Sequence, residues 1–271
     1  MLTLPFIKWE VFMGKKQERV NQMLSLFEEE KFLTAKQLSE RLGFSEMTIR
    51  RDLSMLQTSN LVARGARSGT FTLAEQGPRL KEKYNFQSET VKNYLEKDRI
   101  GQFASTLIEP NDSVIIDTGT TTIRLACHIS EDLCFSALCY NFNIFSELLN
   151  KSHVDLTLVG GQLNSATTSF SSNEGLETIR HFRANKYFLS ASGIHEKLGL
   201  TCAYHSEIAN KQAALRSSLV KILLADSSKF GFVRASYFGE LDDIDVLITD
   251  ENISPEWRDI LREKNIKVYI V

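Results

Sequence analysis

The sequence contains no apolar run approaching the ~20 residues that a membrane-crossing helix needs. Its apolar-rich start, Leu2 to Met13, is interrupted by Pro5, Lys8 and Glu10, and no small-residue cleavage site follows. An exported or membrane protein is therefore not expected, a cytoplasmic one is, and residues 1–12 read as an extension ahead of an alternative start at Met13. The four cysteines, Cys127, Cys134, Cys139 and Cys202, form no CxxC pair and no His–Cys cluster at zinc-ligand spacing. Reduced structural thiols and no metal are expected. Both the GxxxxGK[ST] triphosphate loop and the GxGxxG dinucleotide fingerprint are missing, so no cofactor is implied. There is no internal repeat and no low-complexity tract.

What is present is a globular composition with unevenly spread charge. The chain has 271 residues, 42% hydrophobic and 24% charged, enough for a sizeable core in one large domain or two ordinary ones. Residues 14–84 carry 13 Lys and Arg against 9 Asp and Glu, whereas residues 85–271 carry 18 against 24. A basic front on an acidic body suits a small nucleic-acid-binding head joined to a domain that stays off the DNA.

The first part reads as short helices followed by a hairpin. Val20, Met23, Leu24 and Phe27 recur at helical spacing within residues 17–31. Thr34 is a predicted N-cap for a helix through Leu42, and Gly43 supplies a turn. Ser45 caps the next helix, whose Ile49, Leu53 and Leu56 form one buried stripe. Short strands around Arg64-Gly65 and Ser68-Gly69 complete a winged helix-turn-helix. On the helix after Ser45, Met47, Arg51 and Ser54 face away from the stripe, flanked by Thr48 and Arg50. Short polar groups and two arginines on one face suit the major groove, where arginine forks onto guanine or a phosphate. The amides near Ser45 suit a backbone phosphate, and Arg64 and Arg67 on the wing reach phosphate or minor groove. Asp52 reads as a structural partner for a nearby arginine or helix end.

From residue 74 to 98 the chain is polar, with Gly77 and Pro78, and reads as a linker running into a helix that ends near Ile108. Strands and helices then alternate, with strands predicted at 114–117, 133–140, 155–159, 186–191, 220–225, 244–249 and 267–271. This implies an α/β domain with a largely parallel sheet. After the first of these strands, Asp117-Thr118-Gly119-Thr120-Thr121-Thr122 leads into a helix. A strand, a loop of glycine and hydroxyls, and a helix N-terminus together make an anion site at the edge where open α/β sheets bind ligands. Other strand ends supply Asn141 for sugar hydroxyls, Gly160-Gly161, Ser192, and Lys229 to neutralise a phosphate. Glu207 and Lys211 lie one helical turn apart, and are either effector residues or an ordinary surface pair.

The segment Ser45-Glu46-Met47-Thr48-Ile49-Arg50-Arg51-Asp52-Leu53 resembles the helix-turn-helix signature of the DeoR-type sugar-metabolism repressors, and the resemblance runs over about residues 15–271. It implies a C-terminal domain like ribose-5-phosphate isomerase that senses a phosphorylated sugar. Ser192 stands where many members carry an acidic residue. That disfavours the alternative reading, a sugar-phosphate isomerase-like enzyme tethered to DNA, because moving a proton between carbons needs a base. Stretches 135–140, 190–195 and 228–234 are similar to the branch of the family acting in deoxyribonucleoside breakdown, which implies 2-deoxyribose 5-phosphate as effector. The expectation is a non-enzymatic repressor with a head at 13–75, a linker at 76–89 and a sensing domain at 90–271. Its partners would be double-stranded operator DNA, a phosphorylated sugar and further copies of itself.

Overall fold

The computed structural model describes residues 19–20, 22–23, 26–27, 30–58, 62–65, 69–73 and 86–271. The chain divides into two compact units between Lys92 and Asn93.

In the first unit, described residues between 19 and 27 are helical, and Val20, Met23 and Phe27 are buried. A two-residue strand β1 (Leu33–Thr34) leads into α1 (Ala35–Leu42). Thr34 caps α1 through a capping box with Gln37, and Gly43 ends it in the left-handed region. Helix α2 (Glu46–Thr58) follows, with Ile49, Leu53 and Leu56 at the core. Strands β2 (Val62–Arg64) and β3 (Thr70–Leu73) form the wing, and β1 adds a third antiparallel strand in the order β1-β3-β2. Part of the expected linker is ordered structure instead. Residues Phe86–Val91 form a helix, α3, and Val91 is buried in this unit's core.

The second unit opens with α4 (Tyr94–Ser105) and is built on seven parallel strands. They are β4 (Ser113–Ile116), β5 (Phe135–Cys139), β6 (Val154–Leu158), β9 (Ala184–Leu189), β12 (Ser218–Leu224), β14 (Val246–Thr249) and β15 (Lys267–Ile270). Helices α4, α5 (Thr120–His128) and α6 (Phe142–Leu149) cover one face, and α7 (Asn173–His181), α8 (Ile208–Ser217) and α9 (Pro255–Glu263) cover the other. The central strands are apolar on both sides because both sides are covered. Val114 and Ile116 point into one core and Ile115 into the other, and Phe188 opposes Tyr187 and Leu189 in the same way.

Strand order is β15-β14-β12-β9-β4-β5-β6. The chain steps outward from β4 to β6, then returns to the other side of β4 and steps outward again. The order therefore reverses between β4 and β9, the place where open parallel sheets bind ligands, and the loops after these two strands meet there. Two small antiparallel sheets were not legible as strands in the sequence. One is the hairpin β7 (Gln162–Asn164) with β8 (Ser169–Ser171). The other is β10 (Gly193–His195), β11 (Gly199–Cys202) and β13 (Ser236–Gly239). Among the described residues no helix is long and apolar enough to cross a membrane.

Candidate functional site

In the first unit α2 is the reading element. Its buried stripe leaves the opposite face in solvent, where Met47 is 82% exposed and Arg50, Arg51 and Ser54 are also exposed. The Ser45 hydroxyl accepts from the Thr48 amide at 3.3 Å and lies 2.8 Å from the Thr48 hydroxyl, fixing the helix start. Arg50 is held by Glu46 one turn earlier, through contacts of 2.6 and 2.9 Å. Arg51 has no ion-pair partner among the described residues. Asp52 turns inward and accepts from Arg19 at 2.6 Å, while the Arg19 guanidinium stacks 4.6 Å from the Phe44 ring. Asp52 thus braces the helices and does not face outward with the arginines. Arg64 is exposed on β2. Arg67 lies outside the described residues.

In the second unit the loops after β4 and β9 are joined by hydrogen bonds. The Asp117 carboxylate accepts from the Tyr140 hydroxyl at 2.5 Å, from the Ser190 amide at 3.0 Å, and from the Lys211 ammonium. Lys211 also donates to the Ser190 carbonyl at 2.9 Å and sits 4.8 Å over the Phe238 ring. Burial alone would lower the Lys211 ammonium, but the carboxylates of Asp117 and Glu207 outweigh it and hold it above its usual value. Glu207 is buried beside this pair. Burial pushes its carboxyl up to about 7 against the pull of Lys211, and its Oε1 has no hydrogen-bond partner. The surface-pair reading of Glu207 and Lys211 is therefore corrected. Both side chains are inside, and Lys211 reaches across the edge of the sheet to Asp117.

The anion loop is compact. Gly119 precedes α5 and contributes no side-chain cap, and Thr120, Thr121 and Thr122 are buried in the first turn, where helix amides lack intrahelical acceptors. The Thr122 hydroxyl lies 2.7 Å from the Asp117 carbonyl and 3.0 Å from that of Gly119. A Cβ on Gly119 would lie 2.8 Å from that of Ser190, so only glycine lets the two loops close. Asn141 is placed differently from the sequence expectation. Its amide nitrogen donates to Thr118 at 2.8 Å and to the Thr167 carbonyl at 2.9 Å, and its oxygen caps α6. Fully buried and committed on both sides, it braces the loop and has no group left for a sugar hydroxyl. Gly161, at φ 138°, passes so close to the Ser171 carbonyl that a side chain would collide, which makes Gly160-Gly161 a structural turn into β7. Ser192 is half-buried, its backbone pinned to Thr201 at 2.9 Å.

A second charged cluster sits one strand further along the edge. Asp226, just past β12, is fully buried, with Lys229 at 3.9 Å and Lys97 at 4.0 Å from its Oδ2, which makes no hydrogen bond. Its Oδ1 accepts from Asn93 at 2.7 Å, and from Ser228. Burial would raise this carboxyl, but Lys229 and Lys97 outweigh it and keep it below the usual range. Lys97 and Asn93 were missed in the sequence. The signal was Lys97 itself, in step with Ile100 and Ala104 on a buried helix stripe.

A helix-turn-helix head followed by a parallel sheet with helices on both faces, carrying a buried charged and hydroxyl-rich cluster at its carboxyl edge, defines a DNA-binding regulator with a small-molecule sensor. Residues 19–69 match the DeoR-like helix-turn-helix domain, and residues 92–251 match the DeoR C terminal sensor domain. The chain belongs to the DeoR family of transcriptional regulators and is a regulator, not an enzyme. It is 32% identical to the deoxyribose operon repressor of Escherichia coli K12 over 87% of this chain and 91% of that one. It is 29% identical to the lactose phosphotransferase system repressor of Staphylococcus epidermidis over 94% and 98%. Ribose 5-phosphate isomerase A of Methanocaldococcus jannaschii superposes on 51% of this chain and 55% of its own, with 13% identity and a TM-score of 0.39.

Proposed function

We propose that this chain is a repressor of a carbohydrate or deoxyribonucleoside catabolic operon, released from its operator by a phosphorylated sugar. The head, residues 13–75, reads the major groove with Ser45, Met47, Thr48, Arg50, Arg51 and Ser54, while Arg64 and Arg67 contact the flanking backbone. Two heads from a homo-oligomer meet symmetric half-sites. The effector's phosphate lies on the amides and hydroxyls of Thr118–Thr122 with Lys229 to neutralise it, and Asp117, Ser192, Glu207 and Lys211 lie around the sugar.

The observation that carries this reading is the buried Asp117–Lys211 pair, set beside the glycine–threonine helix start where strand order reverses. The best candidate ligand is 2-deoxyribose 5-phosphate, supported by the similarity to a deoxyribose operon repressor. The test is the melting temperature of the full chain with 2-deoxyribose 5-phosphate, ribose 5-phosphate and hexose phosphates, because a ligand of the folded state raises it by mass action. A rise with 2-deoxyribose 5-phosphate alone supports the full reading, and a rise with another sugar phosphate corrects the effector. No rise with any overturns the sensor site.

A further inference from the structure

Asn93 is the first residue of the second unit and follows directly on Lys92, the last of the first. It occupies the N-cap position of α4, where its carbonyl accepts from the Lys97 amide at 3.0 Å, yet its side chain makes no capping bond. Its backbone is left-handed, at φ 51° and ψ 42°, a region that asparagine tolerates better than most residues. Its side-chain amide instead reaches the loop after β12, 133 residues away in sequence, donating to Asp226 Oδ1 at 2.7 Å and to the Ser228 hydroxyl at 3.0 Å. A helix-starting asparagine ordinarily spends its side chain on its own first turn. Here that group is tied to the sheet's carboxyl edge.

The same carboxylate is shared. Oδ1 of Asp226 holds Asn93 and Ser228, while Oδ2 faces the ammonium groups of Lys97 and Lys229. An anion drawn to those ammonium groups changes what balances the Asp226 charge, and with it the hold on Asn93. Lys97 lies on α4 one turn past Asn93, so both ends of the arrangement belong to the helix that begins where the two units join. The flanking Ser227 amide is fixed to Asp250 at 2.6 Å, so the loop has little freedom to absorb the change itself.

We propose that the Asn93–Asp226 hydrogen bond is the latch by which effector binding at the sheet edge is transmitted to the segment leading to the DNA-binding head. This rests on the sugar-phosphate reading given above, and it adds the route by which that ligand acts. Asn93 is a positioning residue and touches neither ligand nor DNA. Coupling of this kind is reciprocal, and it disappears when the shared contact is removed.

Asn93→Gly is the informative variant, because glycine keeps the left-handed backbone and deletes only the amide. The full chain and N93G are compared on a duplex selected by the wild-type chain from random-sequence DNA, with and without 2-deoxyribose 5-phosphate and the other sugar phosphates of the melting panel. Wild type is expected to lose about tenfold or more in DNA affinity on adding the active sugar phosphate. N93G is expected to keep the wild-type melting shift and ligand-free DNA affinity, with its response reduced to less than about twofold. A full response in N93G alongside a full response in wild type overturns the latch alone. No response of wild type to any sugar phosphate overturns the sensor reading and the latch with it. A second measurement needs no variant: amide hydrogen exchange over residues 94–97 of the wild-type chain changes when the active sugar phosphate binds, and unchanged exchange under saturating ligand overturns the latch.

Discussion

Lys211 and Asp117 form an ion pair with 1% and 0% of their side chains exposed, at the one place where the strand order of the sheet reverses. Such a pair is not a gain in stability over apolar packing, since removing two charges from water offsets their attraction. Its signature is that neither partner tolerates loss of the other. Lys211→Met leaves Asp117 buried and unbalanced and is expected to destabilise the chain by about 3–5 kcal/mol, as is Asp117→Asn in reverse. The double variant is expected to recover most of that loss. Urea unfolding of the three variants decides, and two single variants each costing less than about 1 kcal/mol would contradict a buried pair.

Glu207 gives the second unit a pH dependence of definite sign. Its carboxyl is raised from the usual 4.5 to about 7 by burial. Between those values the folded state holds a proton that the unfolded chain has released. The contribution is therefore fully present below the unfolded value and is lost as pH rises through about 7. Glu207→Gln stays neutral throughout. Its stability relative to wild type is expected to climb by something on the order of 3 kcal/mol from pH ~5 to pH ~8. Parallel stability curves for the two proteins would mean that Glu207 is charged inside the fold.

Gly119 and Ser190 test the closeness of the two loops. Gly119 has φ 167°, an extended backbone that alanine adopts freely, so a penalty for Gly119→Ala comes from space alone. The added Cβ meets the Cβ and Oγ of Ser190. The variant is expected to lose about 1–3 kcal/mol and most of the melting shift with sugar phosphate. Ser190→Gly in the same chain removes the colliding atoms while keeping the Ser190 amide and carbonyl that hold Asp117 and Lys211, and it is expected to restore much of both. No rescue would place the damage elsewhere.

The sequence made some of this legible because local rules were enough. The Thr34 cap, the Gly43 turn, the Ile49–Leu53–Leu56 stripe and the alternation of strands with helices all follow from spacing and residue type, and each is where those rules put it. The small sheets escaped because β7, β8 and β10 are three-residue strands without a period to detect. The site was half-visible for a related reason. Asp117 and the threonine loop are contiguous and Glu207 and Lys211 stand out by their spacing, but that Lys211 meets Asp117, and that Asn93 and Lys97 meet Asp226, is decided only by tertiary packing. For Lys211 and Lys97 a charged residue inside an apolar helical stripe was the available clue. The commitments of Asn141, whose donors and acceptor are all used within the fold, could be seen only once its neighbours were in place.

Arg50 and Arg51 are adjacent and equally basic, yet they are expected to differ in DNA binding because their surroundings differ. Arg50 is engaged by Glu46 and must give up that contact to reach a phosphate, whereas Arg51 has no such competitor among the described residues. Each phosphate contact removed lowers the slope of log affinity against log salt by about 0.9 for duplex DNA. Arg51→Ala is expected to produce that full change, and Arg50→Ala a smaller one. Glu46→Gln, by releasing Arg50, is expected to move the slope the other way. None of the three should alter the melting shift with sugar phosphate, since all lie in the first unit. Binding isotherms at four or so salt concentrations measure this directly. An unchanged slope for Arg51→Ala would show that the exposed face of α2 does not meet the DNA backbone at Arg51, and the major-groove assignment of that face would then rest on Ser45, Met47, Thr48, Arg50 and Ser54.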